Sequence, residues 1–324
     1  MTRVAVLDDW QRVARESADW SRLEAQAEVV FLDAPFAGED GAAAGLAGFE
    51  VLILMRERTP FPASLIARLP KLRMIGLTGN RSPSLDLAAC TAHGVVVCNT
   101  GGTASSQGTA ELALGLMLAA ARRIVSGDAA IRAGRFQDGV GVGPLLAGKT
   151  LGIVGLGRIG AMVARYGAAL EMRVVAWSRS LTQAAGVEVA ASLEALLEAS
   201  DVVSLHVPLS PGSRGLIGAA EIARMRPGAI LVNTSRAGLV EQAALLAALH
   251  EGRILAGLDV YEQEPLGAGD PIRTAPNTVL TPHVGYGTVD TFRQFYAESV
   301  DNVLAFLSGR PVRVMNPEVI SRSV

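Results

Sequence analysis

A glycine-rich turn near the middle of the chain has the residue types that bind a dinucleotide. Residues 155–160 read Gly-Leu-Gly-Arg-Ile-Gly and match the pattern G-x-G-x-x-G. The glycines of this pattern let the backbone approach a pyrophosphate at the N-terminus of a helix. The pattern is weak by itself, but here it follows an apolar strand and precedes an alanine-rich helix. We therefore predict a dinucleotide site at Gly155, Gly157, Arg158, Ile159 and Gly160.

The segment after the next predicted strand bears on which nicotinamide cofactor is bound. In NAD-binding proteins an Asp or Glu about 20 residues beyond the glycines binds the ribose. Residues 177–180 are instead Trp-Ser-Arg-Ser and contain no acid. A guanidinium beside hydroxyl groups can hold a 2′-phosphate, so Ser178, Arg179 and Ser180 favour NADP slightly over NAD. The alternative is that Arg179 is a solvated loop residue.

Three later segments place polar side chains of catalytic types at the predicted carboxyl ends of strands. Open parallel sheets bind their ligands at this edge. The first segment contains Arg236, the second contains Asp259, Glu262 and Glu264, and the third contains His283. The segments are residues 233–238, 257–265 and 281–285.

The order and spacing of these segments closely resemble those of the D-isomer-specific 2-hydroxyacid dehydrogenases. The resemblance covers nearly the whole chain and includes Thr-Ala-Glu-Leu at residues 109–112 and His-Val-Pro-Leu at residues 206–209. It implies an NAD(P)H-dependent oxidoreductase that interconverts small 2-oxo acids and D-2-hydroxy acids. Glyoxylate and hydroxypyruvate are the first substrates to expect, and a phosphoglycerate-like substrate is a further option.

The resemblance also implies roles for individual residues. Arg236 would hold the substrate carboxylate, His283 would be the acid and base, and Glu264 would orient His283. The chemistry needs these types, because a carboxylate keeps imidazolium populated and imidazolium can protonate the oxygen that gains charge. Glu262 is the alternative residue for orienting His283, but the family motif favours Glu264, the glutamate before proline. Asp259 would contact the nicotinamide side of the cofactor, and the remaining predicted cofactor contacts are Val207, Pro208, Thr234, His283 and Gly285.

Two loops in the first part of the chain suggest an acidic substrate. Met-Arg-Glu-Arg-Thr at residues 55–59 resembles an arginine-rich turn of phosphoglycerate dehydrogenases, and this predicts a substrate contact for Arg58. Gly79 and Asn80 fall in the loop whose backbone meets the substrate carboxylate in the family. Solvated loop arginines are the alternative. Tyr286 replaces a small residue that many family members have, and it either narrows the pocket or packs between the domains.

The elements that position these residues alternate as β-strand and α-helix, which indicates parallel sheets. We predict five strands before residue 99 and six between residues 151 and 280. The fold class is α/β, with two Rossmann-like domains. The resemblance implies that a parallel-sheet cofactor domain, residues 101–286, is inserted into a smaller flavodoxin-like substrate domain, residues 1–100 and 287–324, with the active site in the cleft. A long apolar helix over residues 109–123 bridges the two.

The composition excludes several other classes of protein. The 324 residues are 50% hydrophobic and carry a formal net charge of −2, so a dominant electrostatic attraction to nucleic acid or to an anionic membrane is not expected. No apolar run reaches the roughly 18 residues of a membrane span. The N-terminus lacks a secretory pattern, so we expect a cytoplasmic protein. Cys90 and Cys98 are predicted to be reduced structural thiols.

The histidines show no metal-ligand spacing, so no catalytic metal is expected. The resemblance favours a homodimer formed through the cofactor domain, with residues 112–121 and the glycine-rich residues 134–148 as the candidate surface. A second class of function also fits this fold. The chain also resembles the C-terminal-binding corepressors, which are cofactor-sensing binding proteins. Arg236, Glu264 and His283 favour the enzyme.

Overall fold

A computed structural model of the chain describes residues 1–184 and 186–322. The chain forms two units. The first unit comprises Met1–Ser105 together with Gly287–Val324, and the second comprises Ser106–Tyr286. Both units contain a parallel sheet with helices between successive strands. The predicted α/β class with two parallel-sheet domains is therefore confirmed.

The first unit is built on a sheet of five parallel strands in the order β2-β1-β3-β4-β5. The strands are almost continuously apolar, as expected for parallel strands covered on both faces. For example, all four residues of the third and fourth strands are buried. The strands are β1 (Thr2–Val6), β2 (Ala27–Phe31), β3 (Val51–Leu54), β4 (Met74–Leu77) and β5 (Val96–Asn99), and the helices are α1 (Ala14–Ser17), α2 (Ser21–Glu24), α3 (Gly38–Leu46), α4 (Ala63–Ile66) and α5 (Leu87–Ala92).

The second unit is built on a sheet of seven parallel strands in the order β12-β11-β10-β9-β6-β7-β8. Two apolar clusters cover its two faces. The strands are β6 (Thr150–Val154), β7 (Arg173–Trp177), β8 (Glu188–Val189), β9 (Val202–Leu205), β10 (Ala229–Asn233), β11 (Ile254–Leu258) and β12 (Thr278–Leu280). The helices are α6 (Thr103–Ala121), of which the part from Ser106 onward belongs to this unit, α7 (Ile124–Arg132), α8 (Arg158–Ala169), α9 (Leu193–Ala199), α10 (Ala219–Arg224) and α11 (Gln242–His250).

The end of the chain returns to the first unit. Helix α12 (Val289–Leu307) buries Phe292, Phe295 and Tyr296. The segment after it pairs with the edge of the first sheet, because Asn316 accepts a hydrogen bond from the Val97 amide at 2.9 Å. A short 3-10 helix, Pro317–Arg322, follows.

Three elements differ from the sequence prediction. Helix α6 begins at Thr103, six residues earlier than expected. Helix α7 was not predicted, because Ser126, Gly127 and Asp128 have low helix propensity and interrupt its pattern. Strand β8 was missed because a strand of two residues is too short to show a periodic pattern. None of these differences changes the loop or helix on which a predicted site residue lies.

Cys90 and Cys98 are buried and free, in α5 and β5. Burial raises the pKa of the Cys90 thiol to about 12 and that of the Cys98 thiol to about 11. Both thiols therefore stay protonated, which suits a structural role. No helix within the described residues is long and apolar enough to cross a membrane.

Candidate active site

The glycine-rich turn has the backbone geometry that a dinucleotide requires. Gly155 follows β6 with a φ of +97°, and a Cβ there would come within 2.9 Å of the His206 carbonyl group. Gly157 caps α8 and faces open space, so its backbone can approach a ligand. A side chain at Gly160 would overlap the carbonyl of Gly155, so this glycine permits close contact between helix and turn. These are the three functions that the pattern predicts.

The other predicted cofactor residues lie at the carboxyl ends of adjacent strands around this turn. Arg158 and Ile159 begin α8, residues 178–180 follow β7, and residues 207 and 208 follow β9. Thr234 follows β10, and its buried hydroxyl makes no hydrogen bond to any residue that the structure describes. The open backbone at Gly157 and the unpaired Thr234 hydroxyl fit a bound dinucleotide, because buried polar atoms are normally paired.

Arg179 lies on the surface after β7. Its guanidinium donates a hydrogen bond to the Gly212 carbonyl over 3.5 Å, a long contact that leaves the side chain exposed. Ser178 is half-buried and Ser180 is exposed.

His283 and Glu264 form a hydrogen-bonded pair in the second unit. His283 follows β12 with a φ of +53°, and its Nδ1 lies 2.5 Å from Glu264 Oε2. Because an ionised carboxylate can only accept hydrogen bonds, Nδ1 carries the proton and Nε2 is directed elsewhere. Burial raises the pKa of Glu264, but the hydrogen bond and charge of His283, the Tyr261 amide and the charge of Arg236 together leave this pKa below its ordinary value. Glu264 Oε1 also accepts the Tyr261 amide at 2.8 Å.

Asp259 holds the loop that carries His283. Its Oδ1 accepts the Thr281 hydroxyl at 2.6 Å and the Val284 amide at 2.9 Å, and its Oδ2 accepts the Gly285 amide at 2.8 Å. Burial raises the pKa of Asp259, and these hydrogen bonds offset only part of that effect. Both oxygens are engaged within the protein, so the predicted contact of Asp259 with the nicotinamide stays a prediction.

Tyr261 contributes to the same loop and was missed from the sequence. Its hydroxyl donates to the Thr281 carbonyl at 2.9 Å, and burial, followed by the charges of Asp259 and Glu264, raises its pKa to about 12. The sequence could have pointed to Tyr261, because it lies two residues after Asp259 in the same predicted loop. Tyr286 packs at an edge-to-face angle against His283, with ring centroids 6.2 Å apart.

Arg236 lies after β10 and belongs to the same electrostatic neighbourhood, because its charge helps to lower the pKa of Glu264. Its guanidinium donates to the Ser235 carbonyl at 2.7 Å. The Asn233 side chain fixes this turn by accepting the Ser235 amide and donating to the Arg236 carbonyl, each over 3.0 Å. The structure thus joins Glu264 and His283 by a hydrogen bond, with the charge of Arg236 near enough to act on the pKa of Glu264.

The predicted substrate residues of the first unit lie at the carboxyl edge of its sheet. Arg58 donates to the Asp8 carbonyl at 2.6 Å, and its guanidinium carbon lies 4.6 Å from the centre of the Trp10 ring. The Gly79 amide donates to the Thr100 hydroxyl at 2.7 Å and is therefore already engaged. Asn80 is exposed beside it. Their contacts with a substrate stay predictions.

Among residues 1–184 and 186–322, no cluster of three or more His, Cys, Asp or Glu side chains is arranged to hold a metal ion.

Comparisons with known proteins identify the relatives of this chain. Residues 114–285 match the family model described as the D-isomer specific 2-hydroxyacid dehydrogenase, NAD binding domain. The glyoxylate reductase of Aeropyrum pernix is 40% identical over 79% of this chain and 80% of its own length. The D-3-phosphoglycerate dehydrogenase of Archaeoglobus fulgidus is 36% identical over 81% of this chain, but the match spans only 50% of that protein.

A solved structure agrees with these matches over almost the whole chain. The crystal structure of a phosphoglycerate oxidoreductase from Vibrio cholerae superposes with a TM-score of 0.89 and 35% identity, and the match covers 95% of this chain and 99% of that one. None of these relatives supports the cofactor-sensing alternative.

Proposed function

The chain belongs to the D-isomer specific 2-hydroxyacid dehydrogenase family, and we propose that it reduces small 2-oxo acids through Arg236, Glu264 and His283. As a member it is an NAD(P)-linked oxidoreductase of 2-oxo and 2-hydroxy acids. Glyoxylate and hydroxypyruvate are the proposed substrates. The observation that carries the residue assignment is the hydrogen bond between His283 Nδ1 and Glu264 Oε2 at 2.5 Å, with the charge of Arg236 close by.

The proposed mechanism assigns one task to each side chain. Arg236 binds the substrate carboxylate, because a guanidinium matches a carboxylate in two hydrogen bonds. Glu264 keeps the imidazole of His283 oriented through its hydrogen bond to Nδ1. The Nε2 of His283 then holds the proton that the carbonyl oxygen receives. When bound at the glycine-rich turn, the reduced nicotinamide supplies the hydride for the carbonyl carbon.

A turnover assay with a panel of 2-oxo acids and both reduced cofactors tests this proposal. We expect cofactor oxidation with glyoxylate or hydroxypyruvate. The variant Arg236→Lys keeps the charge but loses the two-pronged geometry, so kcat/KM should fall for every acid that is reduced. Tight cofactor binding without oxidation by any acid would contradict the proposal, and an unchanged kcat/KM in Arg236→Lys would place the carboxylate elsewhere.

We propose further that the cofactor is NADP(H) rather than NAD(H). The supporting observations are the absence of an acid at residues 178–180 and the exposed guanidinium of Arg179. Dissociation constants for both reduced cofactors provide the test. Arg179→Ala should weaken NADPH far more than NADH, and Ser178→Asp should shift preference to NADH through repulsion of the 2′-phosphate. Wild-type binding of NADH at least as tight as NADPH, unaffected by Arg179→Ala, would contradict this.

We also propose a homodimer formed through the second unit. Six large apolar side chains on α7 and the loop after it are between 54% and 97% exposed. Contiguous exposed apolar surface marks interaction sites. Sedimentation should give twice the 33.7 kDa of one chain, and Phe136→Glu should shift the mass toward the monomer. A wild-type monomer would contradict the proposal. The side chains are Ile124, Val125, Ile131, Phe136, Val142 and Leu145. The cytoplasmic location stays a prediction.

A further inference from the structure

Tyr261 links the loop after β11, which carries Glu264, to the loop after β12, which carries His283. Its hydroxyl donates to the Thr281 carbonyl at 2.9 Å. The Leu258 carbonyl, at the end of β11, is a longer contact of the same hydroxyl at 3.3 Å. One side chain of the second unit therefore ties together the carboxyl ends of two adjacent strands.

The acceptor of the Tyr261 hydroxyl also fixes the backbone of His283. The Thr281 carbonyl accepts the His283 amide at 3.1 Å, so the two donors share one oxygen. His283 has a φ of +53°, a conformation that residues other than glycine rarely adopt. Such a backbone persists only where the surrounding structure holds it in place. The Tyr261 hydroxyl is part of what holds this turn.

The backbone of Tyr261 holds the other member of the pair. Its amide donates to Glu264 Oε1 at 2.8 Å, and Glu264 Oε2 accepts the hydrogen bond from His283 Nδ1. The four contacts form a closed circuit that runs from the Tyr261 amide through Glu264, His283 and the Thr281 carbonyl to the Tyr261 hydroxyl. A shift of Tyr261 would therefore act on the carboxylate and on the imidazole together.

The hydroxyl matters for the position of the Tyr261 ring because packing does not enclose the ring on every side. Tyr261 borders a cavity at the carboxyl ends of β10 and β11. A side chain beside a cavity makes fewer close contacts on that side, so its hydrogen bonds contribute more to fixing it. The aliphatic residues that line the same cavity are Ala237, Val240, Leu245, Leu258, Val260 and Ile272.

The Tyr261 hydroxyl stays a donor over the whole range of pH in which a dehydrogenase is assayed. Burial, followed by the charges of Asp259 and Glu264, raises the pKa of Tyr261 to about 12. The phenol therefore remains protonated, and its hydrogen bond to the Thr281 carbonyl is permanent.

We propose that Tyr261 is a positioning residue of the acid–base pair, whose hydroxyl holds the turn at His283 while its amide holds Glu264. This inference rests on the proposed function, because it takes His283 and Glu264 as the groups that handle the proton. Tyr261 acts through these two residues and takes no part in the proton transfer itself. The imidazole and the carboxylate thus meet at hydrogen-bonding distance although they follow different strands.

The variant Tyr261→Phe removes only the hydroxyl and keeps the ring and the amide. For an acid that the wild type reduces, kcat should fall about fivefold, the factor that corresponds to one hydrogen bond, while KM stays unchanged. Thr278→Val is the matched control, because it also removes a 2.9 Å hydrogen bond from a hydroxyl to a carbonyl, that of Ala275. Thr278 lies at the start of β12, and its loss should leave kcat unchanged. An equal fall of kcat in both variants would overturn the inference.

A double variant shows whether Tyr261 acts through the pair. In a Glu264→Gln background the pair is already altered, so Tyr261→Phe should change kcat by less than about twofold. A side chain that only stabilises the fold would lower kcat by the same factor in both backgrounds. That result would overturn the inference.

Amide hydrogen exchange measured by NMR separates this inference from the proposed function, because it needs no turnover. The amides of residues 283–285 are all hydrogen-bonded, to the Thr281 carbonyl or to Asp259. Tyr261→Phe should speed the exchange of the His283 amide about fivefold, and Thr278→Val should not. If no 2-oxo acid is reduced but this exchange rises in Tyr261→Phe alone, the proposed function fails and the positioning of His283 by Tyr261 stands. Unchanged exchange in Tyr261→Phe would overturn the inference.

Discussion

Asp259 in the second unit and Asp8 in the first are both buried carboxylates just beyond a central parallel strand. Burial raises the pKa of each. They differ in their hydrogen bonds. Asp259 accepts one hydroxyl and two amides from the loop that carries His283, whereas Asp8 accepts a single hydroxyl on one oxygen. Asp259 therefore holds the His283 loop through both carboxylate oxygens, whereas Asp8 is held through one oxygen only.

Both carboxylates are buried, so their hydrogen bonds decide how each responds to substitution. When one member of a buried hydrogen bond is removed, the remaining member stays buried without a partner and costs its desolvation free energy. The same substitution at a carboxylate with one unpaired oxygen breaks fewer hydrogen bonds, so it should lower the free energy of unfolding less. The substitution Asp259→Asn should therefore lower the free energy of unfolding more than Asp8→Asn does.

The largest expected effect is at Asp259. In Asp259→Asn one oxygen becomes an amide nitrogen, which cannot accept the backbone amides of the His283 loop. We expect the free energy of unfolding to fall by about 2–3 kcal/mol. A displacement of His283 by about 1 Å should also lower kcat about 10²-fold. Denaturant unfolding of Asp8→Asn is the control, and a loss of stability as large as that of Asp259→Asn would break the comparison.

A smaller effect concerns the pH dependence of stability through Glu264. The pKa of this carboxyl lies below its ordinary value of 4.5 because of His283. The ionised form therefore stabilises the fold above pH 4.5, and this contribution is lost as the pH falls through the folded-state pKa. The difference in unfolding free energy between wild type and Glu264→Gln should shrink as the pH falls below 4.5. A difference that grows on acidification would show that the pair does not favour the carboxylate.

The smallest effects should come from the threonines that donate to the two aspartates. Thr281→Val and Thr59→Val are isosteric and each removes one hydroxyl donor, to Asp259 and to Asp8 respectively. Each should cost about 1 kcal/mol in thermal or denaturant unfolding. Only Thr281→Val should also reduce kcat on every acid, since it alone disturbs the His283 loop. Equal effects on kcat would mean that the two loops are not distinct in role.

The parts of this site that sequence could predict are those with a fixed local spacing. The glycines at residues 155–160 act within one turn, so their pattern predicts their geometry. The strands were predictable because buried parallel strands are short and apolar. The pairing of Asp259 with residues 281–285 spans about 25 residues, and no local pattern signals it.

The unpaired oxygen of Asp8 could not be predicted from the sequence for a related reason. In the sequence it is one of two adjacent acids after a strand, which is the pattern of an ordinary turn. Only the structure distinguishes it from Asp9, because the difference lies in which backbone amides reach each carboxylate. Helix α7 was missed because Ser126, Gly127 and Asp128 interrupt its apolar pattern with residues of low helix propensity.

The most direct test compares Asp8→Asn with Asp259→Asn in one assay of hydroxypyruvate and pyruvate reduction. Asp259→Asn should lower kcat/KM for both acids by the same factor, because the His283 loop serves every substrate. Asp8→Asn should lower kcat/KM far less for either acid, because the Asp8 carboxylate accepts its hydrogen bond from Thr59 and not from the His283 loop. A loss of kcat/KM in Asp8→Asn as large as that in Asp259→Asn would contradict the account.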